Sequence, residues 1–341
     1  DLNWAEPDVL LAMLAVIDHL LDHGTRFLRL DAVAFLWKDP DSPSVHLPET
    51  HEIVRLLHTL LAARAPRCVL ITETNVPHEE NVSYFGDGTN EAQLVYQFPL
   101  APLVLNAFHS GDARLLCRWA GSLAPPSQRT TFFNFTASHD GIGVRPLEGL
   151  VPPDRLDRLV QIVKNHGGRV STRRQADGTD SPYELNISYL DAVADSNTVT
   201  AADHSRRFLA TQAIMLAMQG VPAVYFHSLV GTPNDQRGVE ESGQNRRINR
   251  HKYDRDELES ALSDPPSLQR RVFDGYRRLL DVRQQQRMLH PNASQHVLEL
   301  PGDGLLGFVR EGSDGKRLVV LANLTDQPRS VDRDVLEGLQ G

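Results

Sequence analysis

Residues 7–23, "PDVLLAMLAVIDHLLDH", place Leu10, Met13, Leu14, Ile17, Leu20 and Leu21 at helical spacing. Pro7 suits a first helical turn and Gly24 a stop, so the pattern predicts a helix over 7–23. The period then changes. In "RFLRLDAVAF", Phe27, Arg29 and Asp31 alternate with Leu28, Leu30 and Ala32, which predicts a strand. Residues 49–64 return to helical spacing, with Ile53, Leu56, Leu57, Leu60 and Leu61 expected on one side. "CVLITETN" (68–75), "QLVYQF" (93–98), "TTFFNFTASHDGIG" (130–143) and "VPAVYF" (221–226) read as further strands. "LAPLVLNAFHS" and "RRFLATQAIMLAMQG" read as helices between them.

Alternating strands and helices imply parallel strands with helices packed outside. An open doubly wound sheet would usually carry a Gly-rich phosphate turn, and neither GxGxxG nor a Walker motif occurs. Acids stand instead at the C-terminal ends of strands, where barrel active sites are built. The expected fold is therefore α/β, a (β/α)8 TIM barrel with its first strands missing. Residues 147–197, rich in Pro, Gly, Asp and Ser, read as a loop-rich insertion that shapes a site, with one short helix. After a helix at 267–289, "HVLEL", "LLGFVR" and "RLVVLANL" predict a small antiparallel β domain. The expected division is a partial barrel over 1–290, including the inserted subdomain 147–197, and a partial β domain over 291–341.

The formal charge of −9 and the lack of a basic block argue against nucleic acid or an anionic membrane as partner. No apolar run approaches the roughly 18 residues of a membrane span. Two cysteines, Cys68 and Cys117, make no disulfide framework, and a cytoplasmic location is the expectation. The chain begins at Asp1 without a methionine and runs straight toward a helix, so it is expected to be an internal piece of a longer protein.

Three acids carry the candidate chemistry. Asp31 ends the first strand, and Arg29, two residues earlier, shares its face. An arginine beside a carboxylate favours the ionised form that a nucleophile requires. Glu73 ends the next strand, where apolar neighbours such as Ile71 are expected to favour the protonated form of a general acid. Asp140 ends the fourth strand, and Gly141 and Gly143 are expected to let the chain turn away and leave room for a small acceptor. Retaining glycoside cleavage needs two such carboxyls about 5–5.5 Å apart. Read blandly, Asp31 is a structural partner of Arg29, Glu73 a helix cap and His139 a core histidine. "HEEN" (78–81) reads as a solvated loop, "DRDELESALSD" as an exposed helix face, and Trp37 alone of the tryptophans lies near the expected mouth.

"RLDAVAFLWK", "ITETN" and "SHDGIG" resemble, in order and acid identity, the three later sequence regions of the α-amylase superfamily, glycoside hydrolase family 13. "LEGLVP", "LNISYLDA", "GVPAVYF" and "RRINRHKY" are similar to its sucrose phosphorylase subfamily. "HLPETHEIVRLL" and "TETNVPHEENVSYFGDGTNEAQLVYQFPL" look most like the glucosylglycerate phosphorylase branch. The resemblance implies Asp31 as nucleophile, Glu73 as acid/base and Asp140 as transition-state stabiliser, with Arg29 and His139 in the glucose subsite. The family's first region, an aspartate and a histidine, would lie upstream of Asp1.

The implied activity is a retaining α-glucoside phosphorylase, with no metal and no cofactor, acting on a small-molecule α-glucoside and inorganic phosphate. Glycerate is the first expected acceptor, then fructose or another polyol. A dianion beside carboxylates needs cations. Arg145 after the "DGIG" turn, and Arg246 or Arg247 in "GQNRRINRH", are the candidates. Tyr183, Glu184 and Asn186 are expected on the acceptor side. An α-glucosidase or transglucosylase of the same superfamily is one alternative, and an inactive sugar- or partner-binding barrel the other.

Overall fold

The computed structural model describes residues 2–175, 177–195 and 197–332. The chain forms two compact units, Asp1–Gln97 with Ala124–Phe133, and Phe98–Leu123 with Asn134–Gly341.

The first unit is built on parallel strands. β1 (Phe27–Leu30) pairs with β2 (Val69–Thr72) in the register Leu28↔Leu70 and Leu30↔Thr72. β2 pairs with β3 (Leu94–Tyr96) through Ile71↔Leu94, and β3 with β4 (Thr131–Asn134) through Val95↔Phe132. The helix Pro7–Asp22 starts with proline in its first turn, and Gly24 beyond its end takes φ +89°. The helix Pro48–Arg64 lies between β1 and β2 in the chain. It buries Ile53, Val54, Leu57 and Leu61, while the expected Leu56 and Leu60 are exposed. The buried stripe is rotated because His58 also faces inward, its Nδ1 2.6 Å from the Glu91 carbonyl.

In the second unit the helix Leu100–Ser110 is buried over most of its length and stops at Gly111 in the left-handed region, φ +63°. β5 (Ile142–Gly143), β7 (Asp180–Asn186) and β6 (Arg169–Arg174) form an antiparallel sheet in the order β5-β7-β6. The described residues of 147–197 thus hold more regular structure than their composition suggests. They hold a 13-residue helix, Pro153–Asn165, which starts with proline and buries Leu159 and Val163 one turn apart. The helix Ala201–Ala217 is capped by Thr200, whose hydroxyl accepts from the Asp203 amide. It leads to β8 (Val221–Pro222). β9 (Ser294–Val297), β10 (Leu305–Glu311) and β11 (Arg317–Asn323) form the expected antiparallel sheet in the order β11-β10-β9. This sheet falls in the same compact unit as the helices Ala201–Ala217 and Leu268–Gln285.

Two expected strands are shorter than the pattern implied. β4 stops at Asn134, and Asp140 stands six residues beyond it. The Asn134 carbonyl accepts from Ala223 and its side-chain amide donates to the Gln219 carbonyl. Past that anchor the Thr136 hydroxyl donates to Gln212, and the Asp140 amide donates to Ser138 Oγ, so side chains replace the ladder. The strand expected over 221–226 is only Val221–Pro222, because Pro222 has no N–H to continue it.

Candidate active site

Asp31 and Glu73 follow directly on β1 and β2, whose parallel pairing sets them side by side, as in the register Leu30↔Thr72. The Glu73 amide donates to the Leu30 carbonyl at 3.0 Å. Arg29 lies between the two acids. Its Nη1 is 2.7 Å from Asp31 Oδ1 and its Nη2 is 3.9 Å from Glu73 Oε1. Its Nε donates to the Tyr96 hydroxyl at 2.9 Å, and the guanidinium stands 5.3 Å from the centre of the Tyr96 ring. Burial works against the Arg29 charge, but the Tyr96 phenol and the Glu73 and Asp31 carboxylates outweigh it and raise the arginine above its usual range. Burial pushes the Tyr96 phenol up, with Arg29 opposing.

The two acids differ in access. The Asp31 side chain is 71% exposed, that of Glu73 only 12%. Glu73 Oε2 accepts from the Ala32 amide at 2.8 Å, and Ala32 achieves this in the left-handed region, φ +47°, uncommon for a residue with a Cβ. The apolar setting expected for Glu73 is therefore replaced by a backbone donor and a guanidinium. An open carboxylate held by one arginine, with a sheltered one beside it, is a pair able to attack and to exchange a proton.

In the second unit Asp140 is held by two arginines. Arg246 Nη1 is 2.7 Å and Arg250 Nη2 3.1 Å from its Oδ1. His139 Nε2 lies 3.7 Å from Oδ2, with its side chain more than half exposed. Asn249 donates to the Asp140 carbonyl at 2.7 Å and to the Ser138 carbonyl at 3.1 Å, and the Arg250 Nε donates to the His139 carbonyl. Tyr225 donates to the Asn249 carbonyl at 3.0 Å, and burial raises its phenol.

Of the expected acceptor-side residues, Glu184 alone is tied to this cluster by its side chain. Its Oε1 accepts from the Gly141 amide at 2.7 Å and its Oε2 from Arg246 Nε at 3.0 Å. Tyr183 contributes its carbonyl, which accepts from Val144 at 3.1 Å. Asn186 is fully buried and donates to Ser171 Oγ and to the Glu184 carbonyl, within the β6–β7 pair. Arg247 turns to Asp235 at 3.3 Å and donates to the Arg250 carbonyl, so it braces the loop. Arg145 makes no ion pair among the described residues, and its Nε is buried without a hydrogen-bond partner. Gly141 is required for close approach rather than for a turn: a Cβ there would stand 2.6 Å from Glu184 Cγ and from the Leu185 carbonyl. Gly143 is extended, in β5.

Sequence reasoning missed Tyr96, Asn249 and Arg250. No periodic signal marks Arg250, which follows directly on the 3-10 helix 245–249.

Comparison with known proteins agrees with these motifs. Residues 1–128 match the Alpha-amylase family, described as alpha amylase, catalytic domain. The chain is 47% identical over 334 residues to a glucosylglycerate phosphorylase of Allomeiothermus silvanus, covering 98% of this chain and 60% of that protein. It is 41% identical to the glucosylglycerate phosphorylase of Escherichia coli, covering 99% and 60%, and 28% identical to a sucrose phosphorylase of Agrobacterium vitis, covering 75% and 50%. Among solved structures, sucrose 6F-phosphate phosphorylase from Thermoanaerobacter thermosaccharolyticum superposes with a TM-score of 0.76 at 23% identity, over 91% of this chain and 58% of that one. This likeness gives the fold, and the expected α-amylase-type class is borne out. The resemblance to glycoside hydrolase family 13, and within it to glucosylglycerate phosphorylases, is borne out as well. The chain spans 60% of the length of the two glucosylglycerate phosphorylases.

Proposed function

We propose that the protein is a retaining α-glucoside phosphorylase that takes glucosyl from glucosylglycerate, or from a similar α-glucoside such as sucrose, and passes it to phosphate. Asp31 would attack the anomeric carbon as the bond to the leaving oxygen breaks, and Glu73 would supply that oxygen's proton. Phosphate would then break the Asp31 ester, giving its proton to Glu73 and yielding α-glucose 1-phosphate. Asp140 would grip the sugar as its ring flattens.

The observation that carries this reading is the single guanidinium of Arg29 set against both Asp31 and Glu73, at 2.7 and 3.9 Å. This arrangement, an exposed carboxylate and a sheltered one sharing one guanidinium, supports their acting as a pair. That two relatives are glucosylglycerate phosphorylases, with a sucrose phosphorylase less similar, supports the choice of phosphate over water and of glycerate over fructose. Among the three arginines considered for phosphate, Arg246 and Arg247 already face carboxylates. We therefore keep Arg145 as the candidate. The proposed reaction needs no metal or cofactor, with phosphate a co-substrate, and we assign the enzyme to the cytoplasm on its use of inorganic phosphate to make a phosphate ester. No helix among the described residues is long and apolar enough to cross a membrane.

The test is to incubate the full-length polypeptide with glucosylglycerate, with and without phosphate, and to follow glucose 1-phosphate and glucose separately. Phosphate-dependent formation of glucose 1-phosphate is expected. Glucose released at the same rate without phosphate would make the protein a glucosidase, and no release under either condition would leave a binding barrel.

A further inference from the structure

Glu184 is nine-tenths buried, yet it is a carboxylate in a strand that the rest of the candidate chemistry does not use. Its two oxygens are assigned to different elements. Oε1 accepts the Gly141 amide at 2.7 Å, in the residue next to Asp140. Oε2 accepts Arg246 Nε at 3.0 Å, and the same arginine reaches Asp140 Oδ1 with Nη1 at 2.7 Å. β7 supplies the rigid base, since Gly143↔Glu184 and Ile142↔Leu185 are paired across the β5–β7 ladder. The absence of a Cβ at Gly141 is what lets the Glu184 side chain lie against that backbone.

We infer that Glu184 is a positioning residue for Asp140, acting through two arms: the backbone at Gly141 and the guanidinium of Arg246. One arm fixes where the loop carrying Asp140 enters β5. The other fixes the arginine that sets the direction of the Asp140 carboxylate. A side chain with both oxygens so engaged has little left for an acceptor sugar, so this role replaces the acceptor-side contact expected from the loop's position. It also bears on charge. Asp140 and Glu184 balance Arg246 and Arg250, so Glu184 holds back part of the Arg246 charge from any anion that arrives. The inference rests on the proposed role of Asp140 at the sugar.

The experiment compares Glu184→Gln and Glu184→Asp in the full-length polypeptide, with donor and acceptor kinetics measured separately. Glu184→Gln keeps an acceptor for Gly141 but removes the charge that holds Arg246. Glu184→Asp keeps the charge but is one methylene too short for both arms. Misplacement of an active-site group by about 1 Å can cost roughly 100-fold in rate. Loss of kcat on that scale is expected in both variants, with KM for donor and acceptor little changed. A raised acceptor KM at unchanged kcat would overturn the inference in favour of an acceptor contact, and unchanged kinetics would overturn it outright. Should the protein turn over no glucoside at all, the proposed function fails but this inference is still tested. A crystal structure of Glu184→Gln is then expected to show Arg246 moved wholly onto Asp140, and Arg246 and Gly141 left in place would sink it.

Discussion

The Asp112 carboxylate accepts from the Arg114 amide at 3.0 Å, from Arg114 Nε and Nη2 at 3.0 and 2.8 Å, and from Arg155 Nη2 at 2.7 Å. The Arg114 hydrogen bond comes first in holding it well below the usual carboxylate range, against the opposing effect of burial, and Arg155 adds to it. A depressed folded pKa gives stability that is fully present above the unfolded value and lost as pH falls toward the folded one. Asp112→Asn should therefore cost about 2–3 kcal/mol at pH 7, the scale of hydrogen bonds to charged groups. The deficit should shrink below about pH 4, where the unfolded aspartate takes up its proton. Denaturant melts at both pH values check this, and a deficit independent of pH would refute the charged clamp. The sequence showed Arg29 beside Asp31 because the two stand two residues apart, at the end of one short strand and directly after it. It did not show Arg155 on Asp112, or Arg250 on Asp140, because those pairs join stretches with no common period.

At the scale of elements, strand and helix starts were legible, and strand ends were not. Proline at the head of Pro7–Asp22, Pro48–Arg64 and Pro153–Asn165 announces each helix. The run that continues past Asn134 keeps its apolar alternation, yet the ladder is taken over by side chains there, which no periodicity records. The end of Ala201–Ala217 was equally hidden. Its last carbonyls need donors. Arg283 reaches the Leu216 carbonyl, and Arg310, wholly buried in β10, reaches that of Ala217 at 2.7 Å. Arg310 also donates to the carbonyls of His290, Ala293 and Ser294. Burial, helped by Arg283, lowers it to about 10. Arg310→Met would leave several buried carbonyls without donors, so a loss of about 3 kcal/mol is expected in urea melts. Arg310→Lys, with fewer donors, should recover only part. A methionine variant as stable as the parent would mean that water replaces the guanidinium.

At the scale of the whole chain, three motifs in order resemble those of the family, and the relatives bear that resemblance out. What they could not give is which apolar positions find cover. In the first unit β1 has β2 as its one strand partner among the described residues, so its other edge is open. Phe27 on that strand is 60% exposed, and Leu11, Val16 and Leu20 are exposed on Pro7–Asp22, where Leu21 alone is buried. Single exposed apolar residues are ordinary, but an unpaired strand edge together with an uncovered apolar helix face is a template for association. The 341-residue chain expressed by itself is therefore expected to form oligomers that dissociate across a dilution series in light scattering. Phe27→Thr with Leu20→Gln should shift it toward monomer without disturbing the second unit, since these side chains are not needed for the core. A chain that stays monomeric at every concentration would show that this edge and helix protect themselves.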